Sequence, residues 1–251
     1  MRAIVLLSYT VIFLLFGNPS VHARPNVSEV IGHSVQGNAI RAFFWGHGNN
    51  YIYILGTIHG NESYADQLVE QTRKLLEHNF SHKNEAVTFI MIPCLNPDGM
   101  FSNCRANANH VDLNRNFPLW NFSDQTKFNC YNISSLAPLQ PEILALLQLC
   151  KSHPPALMYS IHQPLNLINY DGPAATIALD VQCINGMRIV SDLGHATPGS
   201  LGEYFGNLKK VPVITLELPH KGKGNYWEVL LHRNAEAIIY SALNWQARHT
   251  K

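Results

Sequence analysis

Apolar runs of strand length alternate along this chain with segments of helical spacing, and that alternation restricts the fold more than any other feature. Residues 40–45 and 51–58 read as strands joined by the turn Gly46-His47-Gly48-Asn49-Asn50. Residues 63–80 carry Leu68, Leu75 and Leu76 at helical spacing, and 86–93 form a short apolar run suited to a buried strand. Residues 141–150 open on Pro141, a residue favoured at a helix N-terminus. Strands are predicted at 156–161, 167–170 and 211–218, with helices at 178–193 and 226–246. Residues 24–38 read as a polar, turn-like lead. Residues 95–139 are rich in Asn, Pro and Ser without periodicity, and so long a loop in a compact domain is usually functional. The pattern predicts an α/β sandwich whose central sheet is covered by helices on both faces, with its site in the loops beyond the strand ends.

With 251 residues, 46% of them hydrophobic, the chain is long enough for one domain with a sizeable core. Formal net charge is +1 and the charges are scattered, which argues against nucleic acid as a partner. Met1-Arg2, the apolar stretch 3–16, the break at Gly17-Asn18-Pro19 and the small residues of Val21-His22-Ala23 read as a cleaved signal peptide. The expected organisation is therefore a signal peptide over residues 1–23 and a catalytic domain over 24–251, in the periplasm or secreted, with no stable membrane insertion after cleavage. The glycan-acceptor triplet at Asn61 falls inside the metal motif described next, which favours a bacterial periplasm. Five cysteines without a CxxC pair do not make a disulfide scaffold. Cys94 reads as a buried small hydrophobe, and Cys104 and Cys130 are the better candidates for a bridge.

The residues that carry chemistry stand at predicted strand ends. His59 and Glu62, three apart in Gly56-Thr57-Ile58-His59-Gly60-Asn61-Glu62, can converge on one cation, and imidazole and carboxylate are both ordinary zinc ligands. Alone, a His-x-x-Glu is common. His162, ending the run 156–161, supplies the distant third ligand that a catalytic zinc site needs, although a strand-end histidine is often simply hydrogen-bonded. Glu217 sits in Val213-Ile214-Thr215-Leu216-Glu217-Leu218-Pro219, where burial of a carboxylate is costly unless it is paired or functional. Its competing reading is a solvent-facing strand end; its functional reading is a general base beside zinc. The segment Arg105-Ala106-Asn107-Ala108-Asn109-His110-Val111-Asp112-Leu113-Asn114-Arg115-Asn116-Phe117-Pro118 places two arginines in a loop with little local use for them. Arginine forks suit carboxylates and developing oxyanions, and they also clamp loops.

Taken together, His-x-x-Glu, Asn96-Pro97-Asp98-Gly99, the segment 105–118, the strand-end His162 and Thr215-Leu216-Glu217-Leu218-Pro219 resemble the zinc carboxypeptidase family, in particular its small bacterial murein peptide amidase branch. Ala196-Thr197-Pro198-Gly199-Ser200-Leu201-Gly202 is similar to that branch as well. The resemblance implies a three-layer α/β/α sandwich around a mixed, about eight-stranded sheet. It implies one zinc ion per chain held by His59, Glu62 and His162, with Glu217 as base acting on zinc-activated water. It further implies Arg105 as oxyanion donor, Asn114 and Arg115 as ligands of the substrate carboxylate, and Asp112 orienting a metal-binding histidine. The implied substrate is a muropeptide or other small peptide, cut between γ-D-glutamate and meso-diaminopimelate. An N-acyl amino acid deacylase and a non-catalytic wall-peptide binder are the alternatives. Two departures stand out: the branch is cytoplasmic, and Gln163 follows His162 where aspartate is frequent.

Overall fold

Side chains alternate along the third strand between two hydrophobic clusters, which defines the layers of the molecule. The computed structural model describes residues 27–62, 64–79, 86–118, 138–220 and 225–249. β1 (Val27–His33), β2 (Ala39–Gly46) and β3 (Asn50–Leu55) lead into α1 (Ala65–Asn79), β4 (Val87–Ile92) and the short α2 (Pro97–Phe101). α3 (Pro141–Ser152), β5 (Pro155–His162), β6 (Leu165–Asp171), α4 (Ala175–Asn185), β7 (Arg188–Ile189), β8 (Val213–Pro219) and α5 (Tyr226–His249) complete the chain. Ile52 and Ile54 of β3 pack in one cluster with Leu68 and Leu76 of α1, Ile177 of α4 and Ile238 of α5. Tyr53 and Leu55 face the other cluster, with Ile143 and Leu146 of α3, Phe117 and Phe205. The period-2 geometry of a strand thus covers the sheet on both faces.

The sheet has eight strands in the order β1-β2-β4-β3-β5-β8-β6-β7. Its centre, β4-β3-β5-β8, is parallel, whereas β1, β2 and β6 pair antiparallel with their neighbours β2, β4 and β8. All six residues of β4 are buried, as expected of a parallel strand covered on both faces. β2 and β3 follow one another in sequence but are separated by β4. Their connecting turn crosses directly over the start of β4: Gly48 N donates to Val87 O at 3.3 Å, and a Cβ on Gly48 would lie 2.1 Å from the Ala86 carbonyl carbon. Only glycine permits that backbone approach.

Three sequence expectations are corrected. Residues 27–33 of the supposedly turn-like lead form the edge strand β1, whose mostly exposed residues lack the apolar run that marks an inner strand. The helix expected at 178–193 runs from Ala175 to Asn185, because Gly186 at φ 74° caps it in the left-handed region, and β7 follows. The long loop contains α2, capped by Asn96, and a 3-10 turn at Leu113–Arg115, capped by Asp112. A π-helix at Gly202–Leu208 has no counterpart in the sequence reading. Cys94 is half-buried and Cys104 exposed. Cys130, the signal segment 1–23 and the boundary at residue 24 lie outside the described residues. Among the described residues no helix is long and apolar enough to cross a membrane.

Candidate active site

β5 and β8 lie parallel and in register, so that His162 stands opposite Glu217 and Ser160 opposite Thr215. Tyr159, Ile161, Leu216 and Leu218 point into the helix-covered cluster of α1, α4 and α5. Alternation therefore turns Ser160, His162, Thr215 and Glu217 to the opposite face, where the loops after β4 and before β8 converge. That is why a glutamate interrupts an otherwise apolar strand.

His59 is presented differently, by a sharp turn just past the end of β3. Gly56 N bonds Ile92 O at 2.8 Å and Asn96 N bonds Thr57 O at 3.0 Å, while Thr57 is held at φ 42°. That conformation is a genuine outlier for a β-branched residue, and such strain concentrates where surrounding structure imposes it. Gly60 packs on α2 so closely that a Cβ would sit 1.9 Å from the Gly99 carbonyl carbon. Glu62 N then closes the turn on His59 O at 3.1 Å, placing the two side chains side by side.

The three proposed metal ligands meet. His59 Nδ1 lies 2.8 Å from Glu62 Oε1, His162 Nδ1 lies 2.8 Å from Glu62 Oε2, and the two Nδ1 atoms are 3.2 Å apart. All three residues are buried, and one donor atom from each falls within 4.8 Å of the others. Their outward nitrogens are also engaged: His59 Nε2 with Asp112 Oδ1 at 3.1 Å, His162 Nε2 with Ser160 Oγ at 3.1 Å. The Asp112 carboxylate on Nε2 of His59 favours the tautomer whose Nδ1 lone pair points inward, the arrangement a histidine needs to ligate a metal, while His162 Nε2 also lies 3.5 Å from Asn114 Nδ2. Two imidazole nitrogens and a carboxylate so oriented are a donor set that fits zinc.

Charge reinforces this geometry. Burial by itself would raise the Glu62 carboxyl, but the charge and hydrogen bond of His162, with His59 beside it, hold it well below the usual carboxylate range. Asp112 is likewise held low, against its burial, by the hydrogen bond and charge of His59 and by the two arginines. Burial tends to lower His59, yet hydrogen bonds to Asp112 and Glu62 raise it overall. Glu217 moves the other way: burial pushes it up, Glu62 adds to the rise, and His162 opposes it. It therefore sits apart from the cluster as a carboxyl group able to accept and release a proton.

The loop 105–118 contributes the remaining expected residues. Arg105 donates from Nε to Asp112 Oδ2 at 2.9 Å and places Nη1 3.6 Å from Glu62 Oε1, so it reaches the edge of the cluster. Asp112 also accepts from Asn114 N at 2.9 Å, which ties the 3-10 turn to His59. Asn114 Oδ1 accepts from Leu201 N at 2.9 Å, and Arg115 Nη1 donates to Asn114 O at 2.6 Å. Arg115 is only 9% exposed, and its Nε is buried without a partner among the described residues. Such an unmet donor is costly unless a ligand satisfies it.

All seven sequence-selected residues line one cavity of about 270 Å³. Ser160 and Asp171, which the sequence reading passed over, line it too. Strand alternation back from His162 was signal enough for Ser160. Asp171 was hidden because the expected strand stopped at Tyr170, one residue short of the end of β6. Tyr170 and Tyr204 do not line the cavity; Tyr204 stacks on Phe117 and meets Phe205 edge-on. Gln163 follows the candidate ligand His162 with two useful bonds: its backbone N donates to Glu62 Oε2 at 3.3 Å, and its Nε2 to Pro219 O at 3.2 Å.

The zinc carboxypeptidase family profile matches residues 21–178, a span that includes every candidate site residue except Glu217. Murein peptide amidase A of Vibrio campbellii is 35% identical over 149 residues, covering 54% of this chain and 58% of that protein. Human carboxypeptidase D is 30% identical over 131 residues, which is 46% of this chain and 9% of that protein. The chain thus spans little more than half the length of the murein peptide amidases it matches. Among solved structures, the murein-tripeptide amidase of Escherichia coli O157 superposes with a TM-score of 0.64 at 26% identity, covering 88% of this chain and 96% of that one. Carboxypeptidase A of Helicoverpa armigera, at 16% identity and a TM-score of 0.71, shares the fold.

Proposed function

The chain belongs to the zinc carboxypeptidase family, and from that premise we propose that it hydrolyses an amide bond in cell-wall peptides, the bond between γ-D-glutamate and meso-diaminopimelate. The observation that carries the reading is the convergence of His59, Glu62 and His162 beside Glu217, their register neighbour on β8. Zinc held by the first three supplies Lewis acidity, polarising a carbonyl oxygen and making water nucleophilic near neutral pH. Glu217 takes the proton from the attacking water and passes it to the nitrogen of the leaving amine as the carbon–nitrogen bond breaks. Arg105, at the rim of the cluster, donates to the oxyanion that develops on the carbonyl oxygen. Asp112 holds His59 and Arg105 together through its two oxygens.

Asn114 and Arg115 bind the free carboxylate beside the cleaved bond, which satisfies the buried Nε of Arg115. Asp171 suits the second ammonium group of a diamino acid, because it borders the cavity and has no ion-pair partner among the described residues. Similarity to murein peptide amidases over half the chain supports the wall-peptide substrate. Export through a cleaved segment 1–23, with the catalytic domain over 24–251, would place the enzyme in the periplasm or outside the cell, where it meets wall peptides directly.

The test is incubation of the purified protein with L-Ala-γ-D-Glu-meso-diaminopimelate, with and without a chelator, and mass spectrometry of the products. Release of free diaminopimelate that stops on chelation and returns with zinc is expected. Turnover of N-acyl amino acids with no cleavage of the tripeptide would instead favour a deacylase. A second expectation concerns Arg115→Ala: KM for the free-acid substrate should rise roughly 10- to 100-fold, the loss of a charged hydrogen bond. The C-terminally amidated peptide should be little affected. Were the variant still to discriminate acid from amide, the carboxylate would have to bind elsewhere.

A further inference from the structure

A second groove, of about 570 Å³, opens beside the site between the β6–β7 edge and the start of α5. Leu165 lines both cavities, and its backbone N lies 3.4 Å from Glu217 Oε2, so this one residue separates the groove from the proposed base. Its surface combines exposed apolar groups with cations. Tyr226, Val229 and Leu165 are 64%, 56% and 48% exposed, and Arg188 and Arg233 stand among them without a carboxylate on the lining. Neither arginine is in an ion pair among the described residues. The floor is rigid: Asn185 Nδ2 donates to Asn234 Oδ1 at 3.0 Å, Met187 N donates to Asn185 Oδ1 at 3.0 Å, and Asn234 is 2% exposed. A preformed groove lined by exposed aromatic, aliphatic and arginine side chains has the composition of a recognition surface rather than of ordinary protein exterior.

Its place in the site identifies what it takes. The released residue is anchored by Asn114 and Arg115, on the side of the cavity closed by Leu201, Gly202 and Asp171. The part of the substrate that precedes the scissile bond must leave the metal centre by another route, and the groove is reached from the base across Leu165. Resting on the activity proposed above, we propose that this groove binds the acyl-side extension of the peptide substrate, with Arg188 and Arg233 holding a carboxylate on that extension. The occupant is an acidic peptide segment: apolar atoms lie on Tyr226 and Val229, and its anionic end meets the two guanidinium groups.

The test compares γ-D-Glu-meso-diaminopimelate with two extended forms, N-acetyl-L-Ala-γ-D-Glu-meso-diaminopimelate and its N-succinyl counterpart, on the zinc-loaded native protein and on an R188A/R233A variant. Both arginines are exposed, so the variant keeps the core intact. The succinyl peptide should exceed the acetyl peptide about tenfold in kcat/KM through KM, the scale of a charged contact. In the variant that advantage should vanish while the unextended dipeptide is cut at the native rate. Calorimetric binding of the same peptides reads the groove without turnover: native protein should prefer the succinyl form about tenfold, and the variant should bind both equally. Equal affinity of the native protein for both forms, or a preference that survives in the variant, overturns the proposal. A preference seen in binding while no peptide is cut would fault the assigned activity and leave the groove standing.

Discussion

Replacing Glu217 by glutamine is expected to lower turnover on the order of 10²- to 10⁴-fold, the span associated with a lost general base, while metal affinity stays near the native value. The separation of the two effects follows from the geometry. Glu217 belongs to β8 and is held through a 3.4 Å bond from Leu165 N, whereas the metal donors are paired with one another and with Asp112 and Ser160. Glutamine keeps the size of the side chain and loses only the ability to accept the proton. Competition with a chromophoric chelator reads the affinity, and stopped assays on the tripeptide read the rate. Loss of both together would mean that Glu217 acts by supporting the metal site.

The pH dependence carries the same assignment with a definite sign. Burial raises Glu217 above its ordinary value of 4.5, with Glu62 adding to the rise and His162 opposing it. The base works in its ionised form. Activity should therefore be present above the raised value and be lost as pH falls through it, giving an acid limb at higher pH than an unperturbed glutamate would produce. The residual activity of Glu217→Gln should lack that limb.

The second large effect is expected at Arg105. Its removal should cost about 10²- to 10³-fold in kcat, with KM changed much less, as for the loss of one oxyanion donor. Among the described residues the guanidinium has two attachments, Nε to Asp112 and Nη1 near Glu62, and it lines the cavity. Because Asp112 also orients His59, Arg105→Ala could act indirectly by loosening the ligand. Metal affinity separates the possibilities. An unchanged affinity with the kcat loss supports direct contact with the oxyanion; a parallel fall in affinity, reversed at saturating zinc together with the activity, would reduce Arg105 to a support of Asp112.

Much of this protein was legible in the residues themselves. His59 and Glu62 are three apart, a spacing that lets one turn set their side chains side by side. The buried run 87–92, the helix opening at Pro141 and the apolar strand carrying Glu217 were likewise evident, because each is a local pattern with a period or a breaker. Where local pattern was weak, it failed. β1 is an edge strand whose mostly exposed residues form no apolar run, and α4 ends eight residues before the expected helix does because Gly186 takes the left-handed cap.

Sequence alone thus determined the chemical inventory: two histidines and two glutamates at or just past the ends of short apolar runs and two arginines in a long loop, in a chain of alternating strands and helices. Only the tertiary structure decided how they meet. The insertion of β4 between β2 and β3 depends on pairing across 37 to 48 residues, and the register that sets His162 opposite Glu217 on pairing across 55. The identities of the partners on each Nε2, Asp112 for His59 and Ser160 for His162, depend on it as well. So does the groove at Leu165, whose walls come from β6, β7 and α5. Periodicity reports the face on which a side chain lies; which other face it meets is settled by packing of the whole sheet, and no local interaction encodes that.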